Sequence, residues 1–99
     1  MEHLKINSKQ RASLRAMAQT LDPIVHIGKD GITDNLVGQV KDALEARELI
    51  KCSVQQNCEI GAREACDMLC NLTGAQGIAV LGRKFVLYRQ SEENRKIFF

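Results

Sequence analysis

The sequence has no tryptophan, one proline, one tyrosine and three phenylalanines. Phe85, Tyr88, Phe98 and Phe99 are too few and too scattered for a sheet-wide platform on which bases stack. Histidine is nearly absent. His3 and His26 stand far from any serine-aspartate or cysteine spacing that would build a nucleophile, and the cysteines lack an obvious activating base. His26 sits among apolar neighbours and is expected to be a packed strand residue. No apolar run approaches the roughly 20 residues of a membrane helix. Met1 to Gln10 is polar and charged, unlike an export signal, so a cytoplasmic location is expected. There is no large excess of either charge. Fourteen Lys and Arg against twelve Asp and Glu leave a formal net charge of +2.

What is present is a chain of 99 residues, 44% of them hydrophobic, which suits one core and not two. The charges are sorted. Lys5, Lys9, Arg11 and Arg15 form a basic opening segment near one acid, Glu2, and Arg83, Lys84 and Arg89 lie in an acid-free stretch. Asp42, Glu45 and Glu48, then Glu92 and Glu93, gather the acids, which read as solvated helix and tail charges. Such sorting can give one basic face. Cys52, Cys58, Cys66 and Cys70 are spaced C-x5-C-x7-C-x3-C, without the tight knuckles of a zinc site. They are expected to act as small core hydrophobes, with zinc as the lesser alternative and no metal or cofactor called for.

Periodicity assigns the elements. Ser8 is a natural N-cap for a helix running to Leu21, with Leu14, Met17, Ala18 and Leu21 as its apolar stripe and Arg11 and Arg15 sharing another face. Asp22-Pro23 stops it. Ile24 to Ile27 is a short strand, broken by Gly28-Lys29-Asp30-Gly31. Thr33 can cap a helix to about Glu48, with Leu36, Val37, Val40, Ala43 and Leu44 inward. Gly38 lies inside that helix, where a close packing contact would account for it. Leu49 to Gln55 alternates as a half-buried strand, placing Lys51 on its polar face. Ala62 to Leu72 is a third helix closed by Gly74. Ile78 to Leu81 and Phe85 to Tyr88 form a hairpin around Gly82-Arg83-Lys84. Phe85 is expected in the core and Tyr88 half exposed. Residues 91–99 read as a mobile or loosely docked tail after a single domain over residues 1–90.

The order is αβαβαββ, an α/β (α+β two-layer) fold with one four-stranded mixed sheet. A strand-helix-strand crossover of this length implies a parallel pair, and helices on one face of the sheet are the natural cover.

Three blocks in this order resemble a known family. They are Lys9-Gln10-Arg11 with Leu14 to Ala18; Pro23 to Thr33, continuing to Ala43 through Lys51; and Gly82 to Arg89. Together they are similar to the YhbY-like family, the stand-alone bacterial form of the CRM RNA-binding domain, over residues 5 to 90. The resemblance implies a fold similar to the C-terminal domain of translation initiation factor 3. It also implies RNA binding, with bacterial members associated with precursors of the large ribosomal subunit. The family's GxxG loop, likened to the backbone clamp of KH domains, falls on Gly28, Lys29, Asp30 and Gly31. Two departures soften the positive potential: Asp30 stands where asparagine is common, and Ala12 where a second arginine often follows Arg11.

Physical reasons support that loop. Two glycines let a sugar-phosphate chain approach closely, and the loop leads into a helix whose N-terminal N–H groups favour phosphate. Lys9, Arg11, Arg15, Arg83, Lys84 and Arg89 are the expected supporting cations, and Lys51 could join them. Arg47 could pair with Glu48 or another acid instead. The expected partner is RNA, ribosomal by resemblance, with no membrane and no small-molecule substrate. A protein-binding adaptor on the same fold is the alternative, and an enzyme is not expected.

Overall fold

A computed structural model describes residues 6–98. Glu2, His3 and Lys5 of the opening segment, and Phe99, lie outside the described residues. The elements are α1 (Ser8–Ala18), β1 (Val25–Ile27), α2 (Asp34–Arg47), β2 (Leu49–Val54), α3 (Ala62–Thr73), β3 (Gln76–Leu81) and β4 (Lys84–Tyr88). The sheet runs β1-β2-β4-β3. β1 pairs parallel with β2, and the other two pairings are antiparallel. The expected α+β element order and four-stranded mixed sheet are therefore present.

Local chemistry explains most boundaries. Asn7, not Ser8, caps α1: its side chain accepts from the Gln10 N–H, and the Gln10 side chain accepts from the Asn7 N–H. Helix α1 closes at Ala18, before the predicted Leu21. Thr33 caps α2 by accepting from the Leu36 N–H at 3.1 Å. Gly74 ends α3 in the left-handed conformation. The β3–β4 turn needs only Gly82 and Arg83, because Leu81 already pairs with Lys84. Gly82 has φ +61° while Arg83 does not enter the positive-φ region, the pattern of a type II′ hairpin.

Helices occupy both faces of the sheet, where one covered face was expected. Ile50, Cys52, Val54, Phe85 and Leu87 face α2 and α3, whose Leu36, Val40, Leu44, Ala65 and Leu69 complete the larger core. On the opposite face, Leu49, Ile78, Val86 and Tyr88 meet Leu14 and Ala18 of α1. Tyr88 is consequently fully buried rather than half exposed, and Met17 points to solvent. His26 is exposed, on the face of edge strand β1 opposite to the buried Val25 and Ile27, where a packed strand residue was expected. Cys52 and Cys66 are core residues, as the composition suggests, and all four thiols are free. Burial pushes the Cys52 thiol up to about 12.

The largest departure from expectation is at the α2–β2 junction. Glu48 is 0% exposed and has φ +68° and ψ −44°, a strained conformation for a residue with a side chain. Its carboxylate accepts from the backbone N–H groups of Ser91 at 2.7 Å, Lys96 at 2.6 Å and Ile97 at 2.7 Å. Arg95, not Arg47, supplies the nearby cation, with Nε 3.7 Å away. One turn earlier, Glu45 accepts from the Ser91 hydroxyl at 2.7 Å and from the Glu92 and Glu93 N–H groups. The predicted loose tail is thus tied down through residue 97, and Ile97 packs against the smaller core.

These carboxylates set the acid response. Burial raises the Glu48 pKa, but three N–H donors and Arg95 outweigh it, so the group lies below the ordinary 4.5. The Ser91 hydroxyl and the Glu92 and Glu93 N–H groups hold Glu45 down as well. A depressed folded-state pKa gives stability that is fully present above 4.5 and is lost as pH falls through the folded value. Urea midpoints will therefore hold near neutrality and drop below about pH 4.5. Glu48→Gln will cost about 3 kcal/mol at pH 7 and flatten that acid slope; an unchanged midpoint and slope would refute the role. Gly38 shows the opposite case. Among the described residues a Cβ there meets nothing within 4 Å, so none of them makes the close contact expected for it. Gly38→Ala will raise stability by about 0.5–1 kcal/mol in the same assay, and a loss would show a hidden constraint.

Candidate nucleic-acid interface

Strand alternation builds the site. Leu49, Lys51 and Ser53 of β2 share the face toward α1, and so do Lys84, Val86 and Tyr88 of β4. Helix α1 has eleven residues and covers the part of this face that carries Leu49, Ile78, Val86 and Tyr88. Toward the other end the same face turns from apolar to cationic. Lys51 lies opposite Val86, and Lys84 lies opposite Ser53, so the two lysines are diagonal neighbours about 7–8 Å apart.

A groove of about 420 Å³ opens there between α1 and the sheet. Arg15 of α1, Lys51 and Lys84 line it, over Ala79, Leu81 and Val86. No acid lines this groove among the described residues. Arg15 and Lys84 are exposed and Lys51 is half-buried. Three like charges lining one groove give it a positive potential that favours an anion.

The glycine loop stands at the same end of the sheet. Gln55, just past β2, donates its N–H to the Ile27 carbonyl at 2.8 Å, and Val54 donates to the Arg83 carbonyl at 2.7 Å. The ends of β1 and β2 and the β3–β4 turn are thereby set side by side. Within the loop, the Gly31 N–H bonds to the Gly28 carbonyl at 3.0 Å, closing a turn with Lys29 and Asp30 exposed at its corners. Gly31 has φ +69°, a conformation that favours glycine. Gly28 is different. A Cβ there would make only an ordinary 3.6 Å contact with Gln55 Oε1, so the fold itself does not demand its absence. Ile32 and the cap residue Thr33 separate the loop from α2.

The structure divides the sequence-derived candidates. Arg15, Lys51 and Lys84 share the groove, with Arg83 in the adjoining turn and Gly28, Lys29, Asp30 and Gly31 at the same sheet end. Arg11, Arg89 and Lys9 do not join them. Arg11 Nη1 bonds to the Gly77 carbonyl on β3, and Arg89 Nη1 to the Thr73 carbonyl at 2.8 Å. Both guanidiniums serve the fold, at the end of the sheet away from the loop. Lys9 is exposed on α1 and does not line the groove. Sequence reading missed Gln19 and Leu81, which border the groove. Leu81 is 82% exposed, and its assignment to an apolar hairpin strand gave no sign of that.

Known proteins resemble this chain in both sequence and fold. Residues 6–89 match the family model described as the CRS1 / YhbY (CRM) domain. The chain is 42% identical over 92 residues to the probable RNA-binding protein YqeI of Bacillus subtilis, covering 93% of this chain and 96% of that one. It is 34% identical over 93 residues to an RNA-binding protein of Haemophilus influenzae, covering 89% of each. Among solved structures, a hypothetical protein from Staphylococcus aureus superposes with a TM-score of 0.79 at 40% identity, covering 95% of this chain and 98% of that one. By sequence and by fold, this chain belongs to the CRS1/YhbY (CRM) domain family.

Proposed function

We propose that this protein is a non-enzymatic RNA-binding protein whose surface is the Arg15–Lys51–Lys84 groove together with the Gly28–Gly31 loop. The observation that carries this reading is the convergence of three cations from α1, β2 and β4 at the sheet end that also holds the loop. Relatives bearing RNA-binding names across nearly the whole chain support it. In this reading the lysines and Arg15 neutralise phosphates, which supplies most of the affinity. The loop lets a second stretch of backbone approach, with Lys29 as its charge. Asp30 trims the potential beside it. The non-enzymatic part draws on chemistry: burial keeps the Cys52 thiol protonated at neutral pH, and His26 lies on an exposed strand face.

The RNA in this reading is ribosomal, and the protein acts in the cytoplasm on precursors of the large subunit. That part follows the resemblance of the three sequence blocks to bacterial members of the family.

Binding to a structured ribosomal RNA fragment, measured across a salt series, tests the proposal. Affinity will fall as salt rises, because counterions leave the RNA on binding. Replacing Arg15, Lys51 and Lys84 together by alanine will weaken binding at least about tenfold and lower the salt slope by roughly one for each phosphate no longer neutralised. Arg11→Ala will cost stability and leave the slope alone. A triple variant that binds like the parent would overturn the surface. In gradient fractions of cell lysate the protein will sediment with large-subunit precursors; recovery only at the top would overturn the ribosomal part.

A further inference from the structure

The groove has a feature that phosphate binding leaves unused. Its rim is cationic, but its floor is apolar, made by Ala79, Leu81 and Val86. A phosphodiester chain is satisfied by cations and N–H groups and gains nothing from such a floor. Leu81 is 82% exposed beside its cross-strand partner Lys84, so a large aliphatic side chain stands in water next to a charge. A single exposed leucine is ordinary on a protein surface. Here it is continuous with a concave apolar strip under three cations.

Such a surface suits a ligand with one flat apolar face and an attached anion. Resting on the RNA-binding reading above, we infer that the groove holds the base of a single unpaired nucleotide, with its flanking phosphates on Lys51 and Lys84. The volume, about 420 Å³, lies in the range of small-molecule sites. Phe85, the only aromatic in the lining, is 1% exposed, so no ring is available for stacking. The base lies instead on Leu81 and Ala79, and the exposed Arg15 guanidinium can close over its other face. Gln19, one turn beyond Arg15 on the groove side, offers an amide that can both donate to and accept from a base edge. A paired base keeps its faces stacked in the helix and cannot enter. The RNA recognised is therefore a helix interrupted by an unpaired nucleotide, not an uninterrupted duplex.

Three RNA hairpins test this: one fully paired, one with a single unpaired purine, and one with an abasic sugar at that position. All carry comparable backbone charge around the site. The unpaired purine will bind about tenfold more tightly than the abasic hairpin. Leu81→Ser, a change at an exposed position that leaves the core intact, will remove that preference, so that the purine and abasic hairpins bind alike. Equal binding of purine and abasic hairpins by the parent would overturn the inference while leaving RNA binding standing. No measurable binding to any of the three would overturn both. A Leu81→Ser protein that keeps the full preference would also refute the assigned floor.

Discussion

The buried carboxylate of Glu48 holds the two halves of this structure together. It ends α2 in a backbone conformation that an L-residue adopts only under strain, at a cost of order 1–3 kcal/mol. A glycine would relieve the strain, but it could not accept from the N–H groups of Ser91, Lys96 and Ile97. Glu48 is therefore a joint between the α2–β2 crossover and the C-terminal segment. Its own carbonyl accepts from the Arg89 N–H, so the same residue also fixes the exit from β4.

The consequences reach the site. Anchoring residues 96 and 97 brings Ile97 to the smaller core, where it packs with Leu14, Ala18, Leu49 and Tyr88. That core fixes α1 to the sheet, aided by the Arg11 bond to Gly77. The position of α1 in turn sets where the sheet face is covered and where it is open. Arg15 stands at the edge of the covered part, beside Lys51 and Lys84 at the start of the open part. The cationic groove is thus a product of a short helix covering half of one face. Arg11, which looks like a binding residue, helps make that arrangement, while Arg89 braces the end of α3.

Much of the fold is legible in the chain because it follows from local periodicity. The alternation of Ile50, Cys52 and Val54, the Leu36–Val40–Leu44 stripe and the Thr33 and Gly74 caps each depend on neighbours a few residues away. What is not legible depends on distant groups. Glu48 reads as a solvated acid because its partners are 43 to 49 residues downstream. Tyr88 reads as half exposed because alternation tells which face a side chain takes, not that α1 crosses that face. Arg11 and Arg89 read as free cations because their partners are backbone carbonyls, which leave no mark in a sequence. The family motif locates the loop correctly at the end of β1. It does not separate the cations that share its end of the sheet from those that brace the other.

RNA, in the proposed reading, lies on the open, cationic part of the α1-side sheet face and on the glycine loop. Backbone amide chemical shifts followed by NMR during titration with a structured ribosomal RNA fragment test this residue by residue. The largest changes are expected at residues 28–31, Lys51, Arg83, Lys84 and Arg15, with little at Arg63, Glu64 and Met68 on the exposed side of α3. Changes concentrated on α3 and the outer side of α2, with the groove and loop unmoved, would contradict it.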